Sequence, residues 1–426
     1  MAVIKPFRAL RFDEQKAGEI GTLTCPPYDI ISEEERQAFL LANPHNIIRL
    51  ELPREGQDPY QTAGETLEKW QAEGVLRQDG APAVYLYEEE FTAHGQRMKL
   101  KGLICRVRLE EFDKGVVLPH EETLSKAKED RFRLMQSTFC NFSQIYSLYR
   151  DPEQQTRPII DRLSERDADV QTTDGQGIVH RLWVVPDGSE VQALCRQFAD
   201  RKLYIADGHH RYETALRFRD WCRANGKAKP GDAVDDVMMM LVDMEHEGLV
   251  VFPTHRLVRG LRDFDGAKVR QSCRRWFDVE EQAGLENLEQ ALAARYDQGK
   301  KAFGFYDGGA GWTLFTLRDA SPLAQKLPGR SDALRQLDVT VLHTLVLEEA
   351  LGIDRENMAN QVNLTYTRSM EEAVASVQNG TSQCAFLLNP TRVSEIRDVA
   401  AAGEKMPQKS TYFYPKLITG LVMNQF

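Results

Sequence analysis

The stretch LYIADGHHRYETAL, residues 203–216, changes its period halfway through. LYIA is a short apolar run of strand type, whereas the residues from Tyr212 to Trp221 space their apolar side chains as a helix does. The break falls on Asp207 and Gly208. A strand that hands its chain directly to a helix presents unpaired backbone N–H groups at the positive end of the helix dipole, an arrangement that favours an anion. Gly208 lets a ligand approach the backbone, Arg211 offers forked donors to a phosphate oxygen, and His209 and His210 add donors or a proton shuttle. Thr214 is counted with them as a candidate phosphate ligand. An ionised Asp207 does not bind phosphate; its open roles are magnesium ligand, acceptor of a hydroxyl proton, and helix cap. The plain alternative is a capping aspartate followed by two surface histidines.

Around this unit, strand-like and helix-like segments alternate, which predicts an α/β or α+β fold with mixed sheets. Three segments are expected, 1–115, 116–262 and 263–426. Ser32 and Glu35 form a capping box for a helix from about Glu33 to Leu41. DPYQTAGETLEKWQAEGVL reads as a second helix, and the strands after it turn at His94 and Gly95. VDDVMMMLVDMEHEGLVVFPTHRLV reads as two apolar strands joined at His246 to Gly248. In the last segment, KKAFGFYDGGAGWTLFTLRD is expected to be a hairpin turning at GGAG, and VTVLHTLVLEEALG a helix.

Composition removes several classes of function. Of 426 residues, 42% are hydrophobic and 28% charged, which suits a globular chain with a sizeable core. A net charge of −10 argues against a general electrostatic hold on nucleic acid. The N-terminus MAVIKPFRALRF lacks a secretory signal, and no apolar run approaches the roughly 18 residues of a spanning helix. A cytoplasmic protein with no membrane or nucleic-acid partner is expected. The seven cysteines are scattered and never form C-x-x-C, so neither a disulfide framework nor a zinc knuckle is supported.

Three further stretches carry chemistry. In VVLPHEETLSKAKEDRFRLM, the H-E-x-x-H pattern of a metalloprotease fails after His120, but His120 and Glu121 are candidates for acid–base work and Arg131 for a substrate carboxylate. VVFPTHRLV sets Thr254, His255 and Arg256 at the end of an apolar strand, as candidate substrate contacts. MPQKSTYFYPKL supplies Lys409 and Lys416 as phosphate clamps and Ser410 as a substrate contact, with aromatic rings to stack or pack. A metal site built from the scattered histidines is an alternative. No Walker A loop, G-x-G-x-x-G loop or G-x-S-x-G elbow occurs.

In order along the chain, IKPFRALRF, CPPYDIIS, LPHEETLSKAKEDR, YIADGHHRYETA, FPTHR and MPQKSTYFYPKLITGL resemble the bacterial and archaeal domain-of-unknown-function family 1015. The unit strand, D-G-H-x-R, helix is also similar to the nucleotide-phosphate motif of the ParB and sulfiredoxin superfamily, which includes kinases of free serine. That resemblance implies ATP or ADP held by the loop and helix start, with Arg211 as the motif's arginine. His209 stands where sulfiredoxin has its reactive cysteine, which removes sulfinic acid repair. The resulting expectation is an ATP- and magnesium-dependent phosphotransferase acting on a small hydroxylated metabolite, free L-serine being the named guess. The alternatives are a non-catalytic nucleotide sensor and a metal-dependent hydrolase. The kinase reading needs residues about 200 apart to meet, so the C-terminal segment is expected to fold back on the nucleotide-binding core.

Overall fold

The strand Leu203–Asp207 and the helix His209–Ala224 follow one another in the computed structural model with only Gly208 between them. The structure describes residues 1–123, 125–308 and 311–426. The chain is mixed α/β and divides into two compact units. One comprises 1–119, 123–250 and 415–426, the other 120–122 and 251–414.

Among the described residues, the first unit is built on a nine-stranded mixed sheet. Its spatial order is Val117–Leu118, Leu203–Asp207, Ile145–Tyr149, Asp236–Asp243, Gln96–Arg108, Ala83–Ala93, Val179–Pro186 and Val170–Thr173, with Ile4–Lys5 also pairing on Gln96–Arg108. Leu203–Asp207 runs parallel to Val117–Leu118 and antiparallel to Ile145–Tyr149. The long hairpin Ala83–Ala93 to Gln96–Arg108 turns at His94 and Gly95, both at positive φ, as a two-residue turn whose twist matches its strands requires. The capping box also forms: Ser32 Oγ accepts from Glu35 N–H, and Glu35 answers on Ser32 N–H.

The helix His209–Ala224 buries Tyr212, Ala215, Leu216 and Phe218 in the same core as Leu203 and Ile205. Its outer side meets the helix Ser125–Thr138, where Lys128 Nζ lies 2.7 Å from Glu213 and Arg217 stacks 3.8 Å over the ring of Phe132. The helix Pro59–Ala72 approaches that second helix at Gly64, where a Cβ would stand 2.7 Å from the Ser137 carbonyl oxygen.

The C-terminal residues thread back through this unit. Thr419 and Cys25 exchange backbone hydrogen bonds, and Asn424–Gln425 pairs with Cys140–Asn141. The expected return of the C-terminal segment is thus seen in its last dozen residues.

In the second unit a six-stranded antiparallel sheet runs Phe277–Gln282, Trp312–Leu317, Ala302–Tyr306, Cys384–Leu388, His255–Val258, Leu364–Thr367. Phe277, Phe303, Phe305, Phe315 and Phe386 interlock there at centroid distances of 5.2–6.1 Å. The hairpin 302–317 forms, although Gly309 and Ala310 of the expected GGAG turn lie outside the described residues, as does Leu124. Two expectations need correction. The apolar stretch from Val234 to Val258 yields three strands, because Pro253 interrupts what reads as one strand. The helix expected from VTVLHTLVLEEALG begins as Asp338–Leu342 and then widens to a π-helix over His343–Glu348. All seven cysteines are free, and no helix among the described residues is long and apolar enough to cross a membrane.

Candidate functional site: the turn after Leu203–Asp207

Gly208 has φ of 93°, a left-handed backbone that costs a side-chain-bearing residue about 1–2 kcal/mol. It also leaves room for Arg211. A Cβ at Gly208 would lie 2.9–3.0 Å from three atoms of the Arg211 guanidinium, so the planar group rests against bare backbone. Gly208 is the N-cap of the helix, and no side chain caps it. The capping role open to Asp207 is therefore not taken up.

The Asp207 carboxylate instead receives two cations. Arg211 Nη2 donates to Asp207 Oδ2 at 2.7 Å, and the Lys416 ammonium, 209 residues along the chain, makes an ion pair with Oδ1. Side-chain exposures of 18% for Asp207, 13% for Arg211 and 12% for Lys416 put the triad largely out of water. Burial raises the Asp207 pKa, but Lys416 and Arg211 overcome it and hold the carboxyl well below the usual carboxylate range. Arg211 Nη1 donates to the Gln144 carbonyl at 2.6 Å, and Gln144 Nε2 reaches the Ile418 carbonyl at 3.1 Å. The returning C-terminus thus fixes both cations.

Beneath the triad lies a cavity of about 30 Å³ lined by Glu51, Arg131, Ser143, Arg211 and Thr214, among others. Thr214 Oγ1 is buried there without a hydrogen-bond partner. Arg131 commits Nε and Nη2 to Asp130 at 2.8 and 2.6 Å and Nη1 to the Glu51 carbonyl at 2.7 Å, and its guanidinium stacks 4.1 Å over Tyr28. Three blocks distant in the sequence (CPPYD, AKEDR and DGHHR) therefore converge. Sequence reasoning missed Glu51. It is 3% exposed, accepts from Ser143 Oγ at 2.9 Å, and has its pKa raised by burial against the pull of Arg131 and Arg211. A lone carboxylate inside the apolar run IIRLEL was the available signal.

His209, buried, and His210, half-buried, lie in the first turn of the helix, and the other candidates belong to the second unit. His120 is fully buried; its Nε2 meets Thr411 Oγ1 at 3.0 Å and its ring lies edge-on to Phe413. Glu121 accepts from the Lys409 N–H at 2.9 Å, and Lys409 itself sits at positive φ. Arg256 is 1% exposed and donates to the carbonyls of Thr254 and Lys409. Ser410 Oγ donates to the Pro407 carbonyl. His255 Nδ1 accepts from Leu388 N–H at 3.1 Å, so its proton resides on Nε2; burial, followed by the Arg256 charge, lowers its pKa to about 4. His120 and Glu121 of HEET and the FPTHR and KSTYF stretches are brought together within this unit. No three His, Cys, Asp or Glu side chains among the described residues form a group able to hold a metal ion.

Asp338, at the start of its helix, has Oδ1 buried without a partner. Burial pushes its pKa up to about 7, against the pull of Lys301. The unfolded chain ionises this group near pH 4, so stability falls as pH rises from about 4 to 7 and stays reduced above. Asp338→Asn is expected to stabilise the protein by about 2 kcal/mol at pH 8 and to match wild type below pH 4, as read by urea unfolding. For the site itself, Gly208→Ala is expected to cost about 2 kcal/mol in the same assay, since strain and the clash with Arg211 add.

No curated protein matches the chain. Among solved structures, a conserved hypothetical protein from Pyrococcus furiosus is 16% identical, with a TM-score of 0.35 over 73% of this chain and 90% of its own. A free serine kinase variant in complex with AMP is 13% identical, with a TM-score of 0.39 over 76% of this chain and 91% of its own. SbnI with a C-terminal truncation, from Staphylococcus aureus, is 10% identical, with a TM-score of 0.36 over 75% and 86%. At these TM-scores the likenesses carry no argument about the site. The model of the family described as "Protein of unknown function (DUF1015)" matches residues 4–340, and the chain belongs to that family.

Proposed function

We propose that the first unit binds a nucleotide through its phosphates at the start of the helix His209–Ala224, and that the protein transfers phosphate from ATP to a small hydroxylated metabolite, free L-serine being the first to test. The observation that carries this reading is the convergence of Lys416 and Arg211 on Asp207 at an uncapped helix N-terminus. Phosphoryl transfer asks chiefly for fixed positive donors around the transferring group.

The residues fit such a ligand. Gly208 lets the Arg211 guanidinium lie against the backbone at the helix start, and two acceptors hold Arg211 there, so little further ordering is needed on binding. His209 and His210 occupy the first turn, and Thr214 Oγ1 has hydrogen-bonding capacity to spend. In this reading Asp207 anchors the two cations. A carboxylate held so far below its usual range is a poor proton acceptor, so Asp207 is not the proposed base. Both oxygens of Asp207 meet cations, so Asp207 is not free to hold the magnesium that would accompany a nucleotide and would supply charge neutralisation there. Arg131, with three donors committed to Asp130 and Glu51, supports the cavity under Arg211.

The deciding assay incubates purified protein with ATP, magnesium and L-serine and follows phosphoserine and ADP. Formation of both in equal amounts supports the proposal. Failure to bind ATP or ADP in calorimetry sinks it, whereas nucleotide binding without turnover on any hydroxylated amino acid indicates a sensor.

A further inference from the structure

The π-helix His343–Glu348 flanks a cavity of about 140 Å³ that lies wholly within the second unit and contains none of the residues discussed above as candidates. Single π turns inside α-helices occur often at functional sites, because the extra residue pushes side chains out of helical register. Here Thr340 and His343 both line the cavity. Thr340 Oγ1 and His343 Nε2 are buried without hydrogen-bond partners, in residues 5% and 7% exposed. Folded proteins pair nearly all such atoms, so two orphans on one cavity wall mark a place where a ligand supplies the missing bonds.

Leu327, Leu334 and Met358 supply an apolar part of the wall, Leu334 and Met358 being 7% exposed, while Glu122, Glu348 and Lys405 add charged groups to the lining. The volume is close to that of a cavity known to hold a benzene ring, about 150 Å³. At the rim stand Arg330 and Arg355. Their carboxylate partners, Glu404 and Glu348, are 3.6 and 3.5 Å away, and both guanidiniums are about half or more exposed, so these are loose pairs that an incoming anion can replace. His343 is kept neutral by burial and by the charge of Arg256, so its ring offers a hydrogen bond without adding charge to the floor.

We propose that this cavity binds a ring-sized aromatic or heteroaromatic molecule bearing a carboxylate or phosphate. The ring packs against Leu334 and the Met358 thioether, a polar ring substituent bonds His343 and Thr340, and the anionic group meets Arg330 and Arg355. This site is independent of the phosphotransferase reading and of its residues.

The probe is 4-hydroxybenzoate, titrated into the full chain by ligand-observed NMR. Binding at about 1 mM or tighter is expected, weakening at least tenfold for uncharged 4-hydroxybenzyl alcohol and severalfold for benzoate, which lacks the hydroxyl. Ala359 is exposed at the mouth, so Ala359→Trp closes the cavity from outside without disturbing the core; it is expected to abolish binding with an unchanged melting curve. Arg330→Ala with Arg355→Ala is expected to weaken binding at least tenfold. No binding of 4-hydroxybenzoate at millimolar concentration overturns the proposal, and so does binding that survives Ala359→Trp.

Discussion

Arg211→Ala is expected to lower ATP-dependent phosphorylation about 10³-fold, the scale seen when one arginine or one oxyanion donor is removed from a phosphoryl or acyl transfer site. The loss has two sources. The forked donors next to the helix start disappear, and Asp207 loses one of the two cations that neutralise it. Arg211→Lys separates them. A lysine keeps the charge beside Asp207 but cannot bridge the Gln144 carbonyl and the carboxylate together, so it is expected to restore stability more than rate. Rates are measured as phosphoserine formed at saturating ATP, with folding checked by circular dichroism. A rate for Arg211→Ala within twofold of wild type would remove the turn after Asp207 from the chemistry.

The strand–Gly–helix turn was legible in the sequence because its signals are local. The apolar run ends at Ala206, Gly208 supplies the left-handed residue, and helical spacing begins at once. The capping box at Ser32 and the two-residue turn at His94–Gly95 were legible for the same reason. What depended on long-range packing was hidden. Nothing near Lys416 shows that its ammonium meets Asp207, and the partner of Asp207 was left open among metal, proton and cap. Glu51 passes for a surface residue until Arg131 and Ser143 are seen around it. The π turn at His343 was misread because its apolar spacing fits an α-helix equally well, and a one-residue change of register leaves no trace in composition.

Lys416→Met tests the hidden half of the site. The substitution keeps the volume and apolar stem of the lysine but strands one oxygen of a mostly buried carboxylate. Arg211 still pairs with the other oxygen, so the expected loss is about 2 kcal/mol, below the 3–5 kcal/mol typical when a buried pair loses its sole partner. Asp207 has its folded pKa depressed, and a depressed carboxylate contributes stability that is present above its unfolded pKa near 4 and lost as pH falls through the folded value. The difference between Lys416→Met and wild type is therefore expected to be full at pH 7 and to shrink only in strong acid. Asp207→Asn alone leaves both Arg211 and Lys416 without their carboxylate and is expected to cost more than Lys416→Met; in the double variant no lysine charge is left to strand, so the two losses are expected to sum to less than additive. Urea unfolding of wild type, both single variants and the double variant at pH 7 gives the coupling directly. Additive losses would mean that the Lys416–Asp207 contact does not hold the C-terminus to the turn, and the case for Lys416 as a phosphate clamp would go with it.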